Sequence, residues 1–305
     1  MITRVGSISL DVPDLGASIQ FFVHKVGLEV TEVDGDTVYL RASNRHHDLI
    51  LNKSTTGVTA LRHLNLEVEG DLAEHVARAV AAGAIDAGPI RHPGVDEAHL
   101  LEIPLGYGVK LYSGIEEVPE PSPTAIERPF RFSHFNVTAP DVAAMVEFFG
   151  AAFDLRPSDW LGSTDDPFLA WLHCPVFNAP HHGVAILKGD PKLHHIAFDY
   201  ETVSGLADRV DNYVDESHYL VWGMGRHGTG GSVFAYTEDA SGVLVELDSG
   251  MISIGDDPRW SEPRVWSLSD QRAVDEWGSA IPEPWLAKRT AFIRPTASAN
   301  RSVEV

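Results

Sequence analysis

The chain has little cysteine, little positive charge and no long apolar run. Cys174 is the single cysteine among 305 residues, so no disulfide can form within the chain, as is typical of a reducing compartment. Lys and Arg number 23 against 44 Asp and Glu, a formal net charge of −21. Nucleic acids and anionic membranes reward Lys/Arg patches, so neither is an expected partner. No apolar run approaches the roughly 18 residues of a membrane span, and MITRVGSISLDV lacks signal-peptide features. We therefore expect a cytoplasmic protein.

Nucleotide-binding and hydrolase motifs are also missing. The sequence contains no GxSxG, P-loop, HExxH or dinucleotide fingerprint, so no nucleotide cofactor is expected. With 44% hydrophobic residues, the chain is long enough for two domains that each bury a core.

What the sequence does contain is a strand-then-helix unit that occurs four times. Aligning the hydrophobic positions of the four copies makes four residues equivalent, namely Ser7, His63, His134 and His195. Each half closes with a turn and a short apolar strand, PLGYGVKLY or ASGVLVELDSG, in which Lys110 and Glu246 are equivalent. Because protonated lysine is not a metal ligand, only the second half is predicted to hold a metal.

The repeat spacing is interrupted by GIEEVPEPSPTAIERPF, whose four prolines are typical of a linker. We predict a degenerate N-terminal domain at 1–114, a linker at 115–130 and a catalytic, metal-binding domain at 131–250. Residues 251–305, which carry four tryptophans, are expected to pack on the catalytic domain or to form an oligomer contact. The last dozen residues are expected to be disordered.

Period-two alternation indicates strands around the candidate metal ligands. It places His134 and His195 on the face opposite their large apolar neighbours, and it places Glu246 opposite a row of Val and Leu. Asp141 and Thr202 stand where helix N-caps are expected, before helices at 142–149 and 203–214. Several short strands and one helix per unit predict an α+β fold in which sheets curl around a cleft with helices outside.

Two imidazoles and one carboxylate on three strands leave half of an octahedral shell open, an arrangement typical of non-haem Fe(II) oxygenases. Zinc is the competing metal, because His₂Glu also serves catalytic zinc. The plainer alternative is that His134, His195 and Glu246 are ordinary strand residues. Their equivalent positions in the repeat argue against that coincidence.

Further polar residues surround this set. HHGVAIL is expected to form a hairpin with KLHHIAF, which directs His182 toward the cleft as a proton donor or acceptor. His227 lies in the glycine-rich segment GMGRHGTGG, and Tyr236 follows on the next strand. Four other histidines lie in polar stretches and are expected to be solvated, namely His46, His47, His92 and His99.

The ordered segments HFNVTAPD, WLHCPVFNAPHHGVAIL, LHHIAF and GRHGTGGSVFAYTEDASGVLVEL resemble the two-domain, type I extradiol ring-cleavage dioxygenases of the vicinal oxygen chelate superfamily. The likeness is closest to the 2,3-dihydroxybiphenyl and catechol 2,3-dioxygenase branch. It implies tandem βαβββ modules, the glyoxalase-like fold. It also implies a homo-oligomer of aromatic catabolism that cleaves a small aromatic diol with O₂, beside the diol, to a muconic semialdehyde-type product.

The resemblance also assigns roles to individual residues. It implies Fe(II), or Mn(II), held by His134, His195 and Glu246. It implies an acid/base role for His182 and hydrogen bonds from His227 and Tyr236 to the substrate hydroxyls.

Substrate contacts are expected from three further residues, namely Asn136, Thr229 and Phe177. Two other functions stay open on the same fold. One is a metal-dependent lyase or isomerase, and the other is a non-catalytic protein that binds an aromatic ligand.

Overall fold

The structure is a computed structural model that describes residues 1–214 and 218–295. The expected disorder of the last dozen residues falls mostly outside this part of the chain.

Each half of the chain contains two βαβ-type units. The first half comprises β1 (Ile2–Val12), α1 (Leu15–Gln20), β2 (Glu29–Asp34), β3 (Thr37–Arg41), β4 (Leu49–Lys53), β5 (Ala60–Val68), α2 (Leu72–Ala81), β6 (Ile85–Pro89), β7 (Val95–Glu102) and β8 (Gly108–Ile115). The second half comprises β9 (Pro129–Ala139), α3 (Val142–Phe153), β10 (Arg156–Gly162), β11 (Pro167–His173), β12 (Val184–Lys188), β13 (Lys192–Tyr200), α4 (Val203–Tyr213), β14 (Trp222–Arg226), β15 (Val233–Glu238) and β16 (Leu244–Ser249). The predicted α+β fold of tandem βαβββ modules is confirmed.

The predicted helix starts are present. The Asp141 side chain accepts the Ala144 N–H, and the Thr202 side chain accepts the Gly205 N–H, so each satisfies a backbone donor that the first helical turn leaves free. The helix after Asp141 continues to Phe153, one turn beyond the expected end, because Phe149, Ala152 and Phe153 all pack into the core.

Each half forms one mixed sheet with the same strand order. The N-terminal sheet runs β2-β3-β4-β1-β5-β8-β7-β6, and the C-terminal sheet runs β14-β15-β16-β13-β9-β12-β11-β10. At the centre of each sheet the first strands of its two units pair antiparallel, β1 with β5 and β9 with β13. The last strand of each unit then pairs in parallel beside the first strand of that unit, so the repeat positions meet at the middle of the sheet.

The hairpin predicted between β12 and β13 is wrong. β12 pairs in parallel with β9, and β13 pairs antiparallel with the other edge of β9, so β9 lies between them. The connection through Gly189, Asp190 and Pro191 therefore crosses the end of β9, where the Thr138 hydroxyl donates to the Asp190 carbonyl. A short turn between two strands indicated a hairpin, but pairing with β9 satisfies both of them.

The two halves pack directly against each other. The Tyr107 hydroxyl donates to the Thr138 carbonyl at 2.6 Å, and the Tyr200 hydroxyl donates to the Val26 carbonyl at 2.6 Å. Tyr107 and Tyr200 are fully buried, so these bonds form inside the apolar core that the halves share.

The residues after β16 contact both sheets. β17 (Arg264–Trp266) pairs with β10, α5 (Glu283–Ala287) lies beside the C-terminal sheet, and β18 (Ala291–Phe292) pairs with β5. Because this segment joins both sheets, strand pairing alone does not define the domain limits, and those proposed above stay predictions. No helix in the described part of the chain is long and apolar enough to cross a membrane.

Candidate metal centre

Three neighbouring strands bring three side chains together at the centre of the C-terminal sheet. β9 carries His134, β13 carries His195 and β16 carries Glu246, and the three residues are 2%, 3% and 1% exposed. His134 Nε2 lies 3.2 Å from His195 Nε2 and 3.2 Å from Glu246 Oε2. His195 Nε2 lies 3.2 Å from the same carboxylate oxygen. The strand register therefore directs all three donors to one point.

These separations fit a divalent ion. Ligands about 2.0–2.2 Å from an ion lie about 3.0 Å apart at octahedral angles and about 3.4 Å apart at tetrahedral angles. The observed 3.2 Å suits either arrangement. Among the residues described, this is the one group of three His, Cys, Asp or Glu side chains whose donor atoms lie within 4.8 Å of one another.

The protonation states also suit metal binding. Burial alone would raise the pKa of Glu246, but His134, His195 and His227 beside it hold that pKa well below its usual range. Burial lowers the pKa of His195 to about 4, although Glu246 opposes the shift. A charged carboxylate and a neutral imidazole are the forms that bind a metal.

The neighbouring histidine sets the tautomer of His195. His194 Nε2 lies 3.1 Å from the Trp285 carbonyl, which can only accept, so this nitrogen carries the hydrogen. Burial and His195 lower the pKa of His194 well below its usual value, so its Nδ1 is bare. That Nδ1 lies 2.7 Å from His195 Nδ1, which must donate to it. The lone pair of His195 is thereby left on Nε2, the atom that faces Glu246.

The same arrangement recurs at His182. His181 Nε2 lies 3.4 Å from Asp159 Oδ2, and His181 Nδ1 lies 3.1 Å from His182 Nδ1. The pKa of Asp159 is lowered, because His181 and Arg264 outweigh its burial, so it is a charged acceptor. Burial lowers the pKa of both histidines, so each carries one hydrogen. The Asp159 carboxylate favours a hydrogen on the His181 nitrogen that faces it, so His181 Nδ1 accepts from His182 and the lone pair of His182 lies on Nε2.

His182, His227 and Tyr236 surround the three donors. The ring of His182 lies 4.4 Å from the ring of His134. His227 Nε2 lies 3.2 Å from Glu246 Oε1 and 3.3 Å from the Tyr236 hydroxyl. Burial and Glu246 raise the pKa of Tyr236 well above its usual value, so this hydroxyl keeps its proton. All six residues that were predicted to bind the metal or to act in the reaction therefore lie around one cavity.

A small cavity of about 30 Å³ opens onto this set. Asn136 and Thr229, both predicted to contact substrate, line it, and Asn136 Oδ1 is buried without a hydrogen-bond partner. Sequence reasoning missed the apolar walls from β14 and the C-terminal segment, namely Trp222, Val274 and Trp285. No local pattern connects Val274 or Trp285 with the metal ligands, because only the chain path after β16 brings them there.

Phe177 does not line the cavity. Its side chain is 80% exposed, on the turn between β11 and β12. The expected substrate contact was inferred from an aromatic residue near the ligand strands. The turn instead carries Phe177 outward, while the buried neighbours Cys174 and Ala179 hold the turn in place.

Two of the histidines expected to be solvated are buried. His46 is 3% exposed and His47 is fully buried, while His92 and His99 are half-buried. The polar residues around His46 suggested a surface loop. Glu32 accepts the Nε2–H of His46 at 2.9 Å, however, and this hydrogen bond offsets the cost of burying the imidazole. The match between RHHDLIL and PHHGVAIL would have revealed this second histidine pair.

Two family models match the chain. A glyoxalase-like domain matches residues 7–108, and the glyoxalase/bleomycin resistance protein/dioxygenase superfamily matches residues 131–247. Each half of the chain therefore matches a glyoxalase-like domain, and the two domains lie in tandem.

Individual relatives narrow the comparison. The chain is 25% identical to a metapyrocatechase of Geobacillus stearothermophilus, covering 95% of this chain and 94% of that protein. It is 28% identical to a manganese-dependent 2,3-dihydroxybiphenyl 1,2-dioxygenase of Geobacillus genomosp. 3, covering 87% and 90%. Its fold matches homoprotocatechuate 2,3-dioxygenase from Arthrobacter globiformis with a TM-score of 0.83 at 24% identity, covering 96% and 92%. The resemblance to the type I extradiol dioxygenases of the vicinal oxygen chelate superfamily is confirmed.

Proposed function

We propose that this protein cleaves the ring of a catechol-type diol with O₂ at the bond beside the diol, giving a muconic semialdehyde-type product. The observation that carries the proposal is the cluster of three donor atoms at 3.2 Å, opening onto a cavity that His182, His227 and Tyr236 also line. The names of the relatives support it, since each describes a dioxygenase or metapyrocatechase of aromatic diols.

We propose Fe(II) as the metal, with Mn(II) as the alternative, held by His134, His195 and Glu246. Two imidazoles and one carboxylate are the donor set typical of Fe(II) oxygenases, and one relative is named as manganese-dependent. A metal held there would supply Lewis acidity that favours ionisation of the diol and a route for electrons from the diol to O₂.

His182 supplies the proton chemistry. Its Nδ1–H is engaged by His181, so Nε2 is the atom available to the cavity as a neutral base. We propose that Nε2 takes a proton from a diol hydroxyl and returns it to oxygen later in the reaction. Because His182 is held on one side by the Asp159–His181 pair, its lone pair keeps one direction throughout.

Tyr236 and His227 orient the diol. Tyr236 keeps its O–H, as its raised pKa indicates, and can donate to an ionised diol oxygen. His227 Nδ1 donates to the Val274 carbonyl at 2.5 Å, which fixes the ring so that Nε2 points at the site. Together they favour ionisation of one hydroxyl over the other.

An oxygen electrode tests the reaction. Protein reconstituted anaerobically with Fe(II), Mn(II), Zn(II) or Ni(II) is mixed with catechol, and we expect one O₂ consumed per yellow product with Fe(II) or Mn(II) alone. O₂-independent turnover with Zn(II) or Ni(II) would instead support a lyase or isomerase. Absence of ring cleavage across mono- and bicyclic catechols would remove the proposal.

We also propose a homo-oligomer in the cytoplasm, on the strength of the resemblance and of the single, buried Cys174. Light scattering should give a multiple of the chain mass, and cell fractionation should place the protein in the soluble fraction.

A further inference from the structure

We infer that this site accepts catechols whose ring substituent is uncharged and apolar, and that it rejects catechols carrying a ring-side carboxylate. The inference rests on the proposed function, because it concerns the substituent of the same diol.

Much of the cavity wall is apolar. Six lining residues from β11, β12, β14 and the C-terminal segment form these walls, namely Leu169, Trp171, Ala185, Trp222, Val274 and Trp285. Trp222 and Trp285 pack edge to face with ring centroids 5.2 Å apart, and Trp222 stacks on Tyr236 at 5.6 Å. These contacts hold rigid aromatic surface against the bound ring, which suits an apolar substituent.

No Lys or Arg lines the cavity in the described part of the chain. The arginines on neighbouring segments are engaged elsewhere. Arg226 donates to the Gly231 carbonyl at 2.7 Å and stacks over Trp277. Arg264 pairs with Asp159 at 2.7 Å. An anionic substituent would therefore meet no cationic side chain.

The charge already present opposes an anion as well. The metal that Glu246 would hold is taken up by the two diol oxygens and leaves no counter-ion for the substituent, and the chain as a whole carries a net charge of −21. A carboxylate moved from water into this cavity would lose its hydration without gaining a counter-ion, which costs several kcal/mol. A neutral substituent of the same size carries no such cost, and its apolar surface gains by burial against the tryptophans.

The test compares two diols of matched size, 3,4-dihydroxyphenylacetate and 3,4-dihydroxyphenylacetamide. Each is titrated anaerobically into Fe(II)-loaded protein, with quenching of tryptophan fluorescence as the readout, and kcat/KM is then measured in air. Trp171, Trp222 and Trp285 line the cavity and report binding without turnover. We expect the amide to bind at least about 30-fold more tightly than the acid, and 4-methylcatechol to bind at least as well as the amide.

A cation introduced at the rim should weaken this preference. Val274 is half-buried, so a long side chain there can reach both cavity and solvent. Val274→Lys should tighten binding of the acid and narrow the ratio at least about tenfold, whereas Val274→Met, of similar length without charge, should leave the ratio within about twofold.

The two proposals fail differently. If unmodified protein binds and cleaves the acid as well as the amide, the charge preference is overturned while ring cleavage stands. If the amide binds preferentially but no diol is cleaved, ring cleavage is overturned while the preference stands. If none of the three diols binds, both are overturned.

Discussion

The two halves of this protein place different chemistry at equivalent positions. His134, His195 and Glu246 of the C-terminal half converge with donor atoms 3.2 Å apart. The corresponding residues of the N-terminal half include Ser7 and Lys110, whose side chains cannot serve as an imidazole and a carboxylate do. The sheets and the strand order are shared. Two side chains, rather than the fold, therefore separate a candidate metal site from a site without one.

The N-terminal half nevertheless keeps the histidine pair. His46 Nε2 lies 2.9 Å from Glu32 and its Nδ1 lies 2.9 Å from His47 Nδ1, as His181 lies between Asp159 and His182. His47 Nε2 is buried without a hydrogen-bond partner. Both halves thus contain a pair of adjacent histidines of which one orients the other. In the N-terminal half the oriented histidine, His47, lies near Lys110, and burial together with Lys110 lowers the pKa of His47.

Lys110 is the costliest of the N-terminal replacements. It is fully buried, and its Nζ has no hydrogen-bond partner. Burial lowers its pKa well below the usual value, so folding favours the neutral amine. An amine buried without a hydrogen-bond partner lowers stability, and it supplies no negative charge at the position where Glu246 supplies a carboxylate.

The largest expected effect is the difference in metal content and O₂ uptake between replacing Glu246 and replacing Lys110. Glu246→Ala should remove the bound metal and lower O₂ uptake at least about 10³-fold, because the remaining two imidazoles cannot supply the donor set. Lys110→Ala should leave metal content unchanged. Metal analysis after gel filtration, together with an oxygen electrode, measures both. Retention of metal by Glu246→Ala would contradict the assignment.

The next largest expected effect is the difference in kcat between replacing His182 and replacing His47. His182→Asn should lower kcat by about 10²–10³-fold at unchanged metal content, because a positioned acid/base group is lost. His47→Asn, the matched change in the other half, should alter kcat by less than about twofold. Equal losses in both variants would show that the histidine pairs act through folding rather than through the reaction.

Lys110→Met should stabilise the protein. An apolar side chain of similar length removes a buried group without partners, so the free energy of unfolding at pH 7 should rise by about 1–3 kcal/mol. The unfolded chain binds a proton at Lys110 that the folded chain does not, so this residue makes stability rise with pH up to its unfolded pKa, and the variant should lose that slope. Lys53→Met, at the exposed end of β4, is the control and should change stability by less than about 0.5 kcal/mol. Destabilisation by Lys110→Met in urea titrations would indicate a partner for the amine.

The contrast between the halves also shows what the sequence could predict. Period-two alternation and the repeat were sufficient to predict that His134, His195 and Glu246 share one face of the sheet. Alternation fixes the face of each side chain, because a shift of register by one residue would turn it to the other face. The order of strands was less accessible, since the turn between β12 and β13 is compatible both with a hairpin and with an intervening β9.

Burial and distant contacts were the other limits. His46 and His47 lie among polar residues, and the hydrogen bond from His46 to Glu32, which is distant in the sequence, accounts for the burial of His46. Trp285 reaches the cavity from almost 40 residues beyond β16, so no spacing rule connects it with the site. The local sequence pattern therefore predicted which three side chains converge, whereas tertiary packing determined which residues form the cavity walls.

The smallest effect concerns acid stability of the N-terminal half. Burial lowers the pKa of His63 to about 3, so it is neutral when folded but takes up a proton near pH 6.5 when unfolded. Its contribution to stability is complete above pH 6.5 and is lost as pH falls from there toward 3, about 1 kcal/mol between pH 7 and 5.5. His63→Gln, which cannot take up that proton, should reduce the pH dependence of urea unfolding by this amount. The other histidines contribute equally to the unmodified protein and to His63→Gln, so they do not affect the difference between the two. If the free energy of unfolding depends on pH in the same way in both proteins, His63 is already protonated in the folded state.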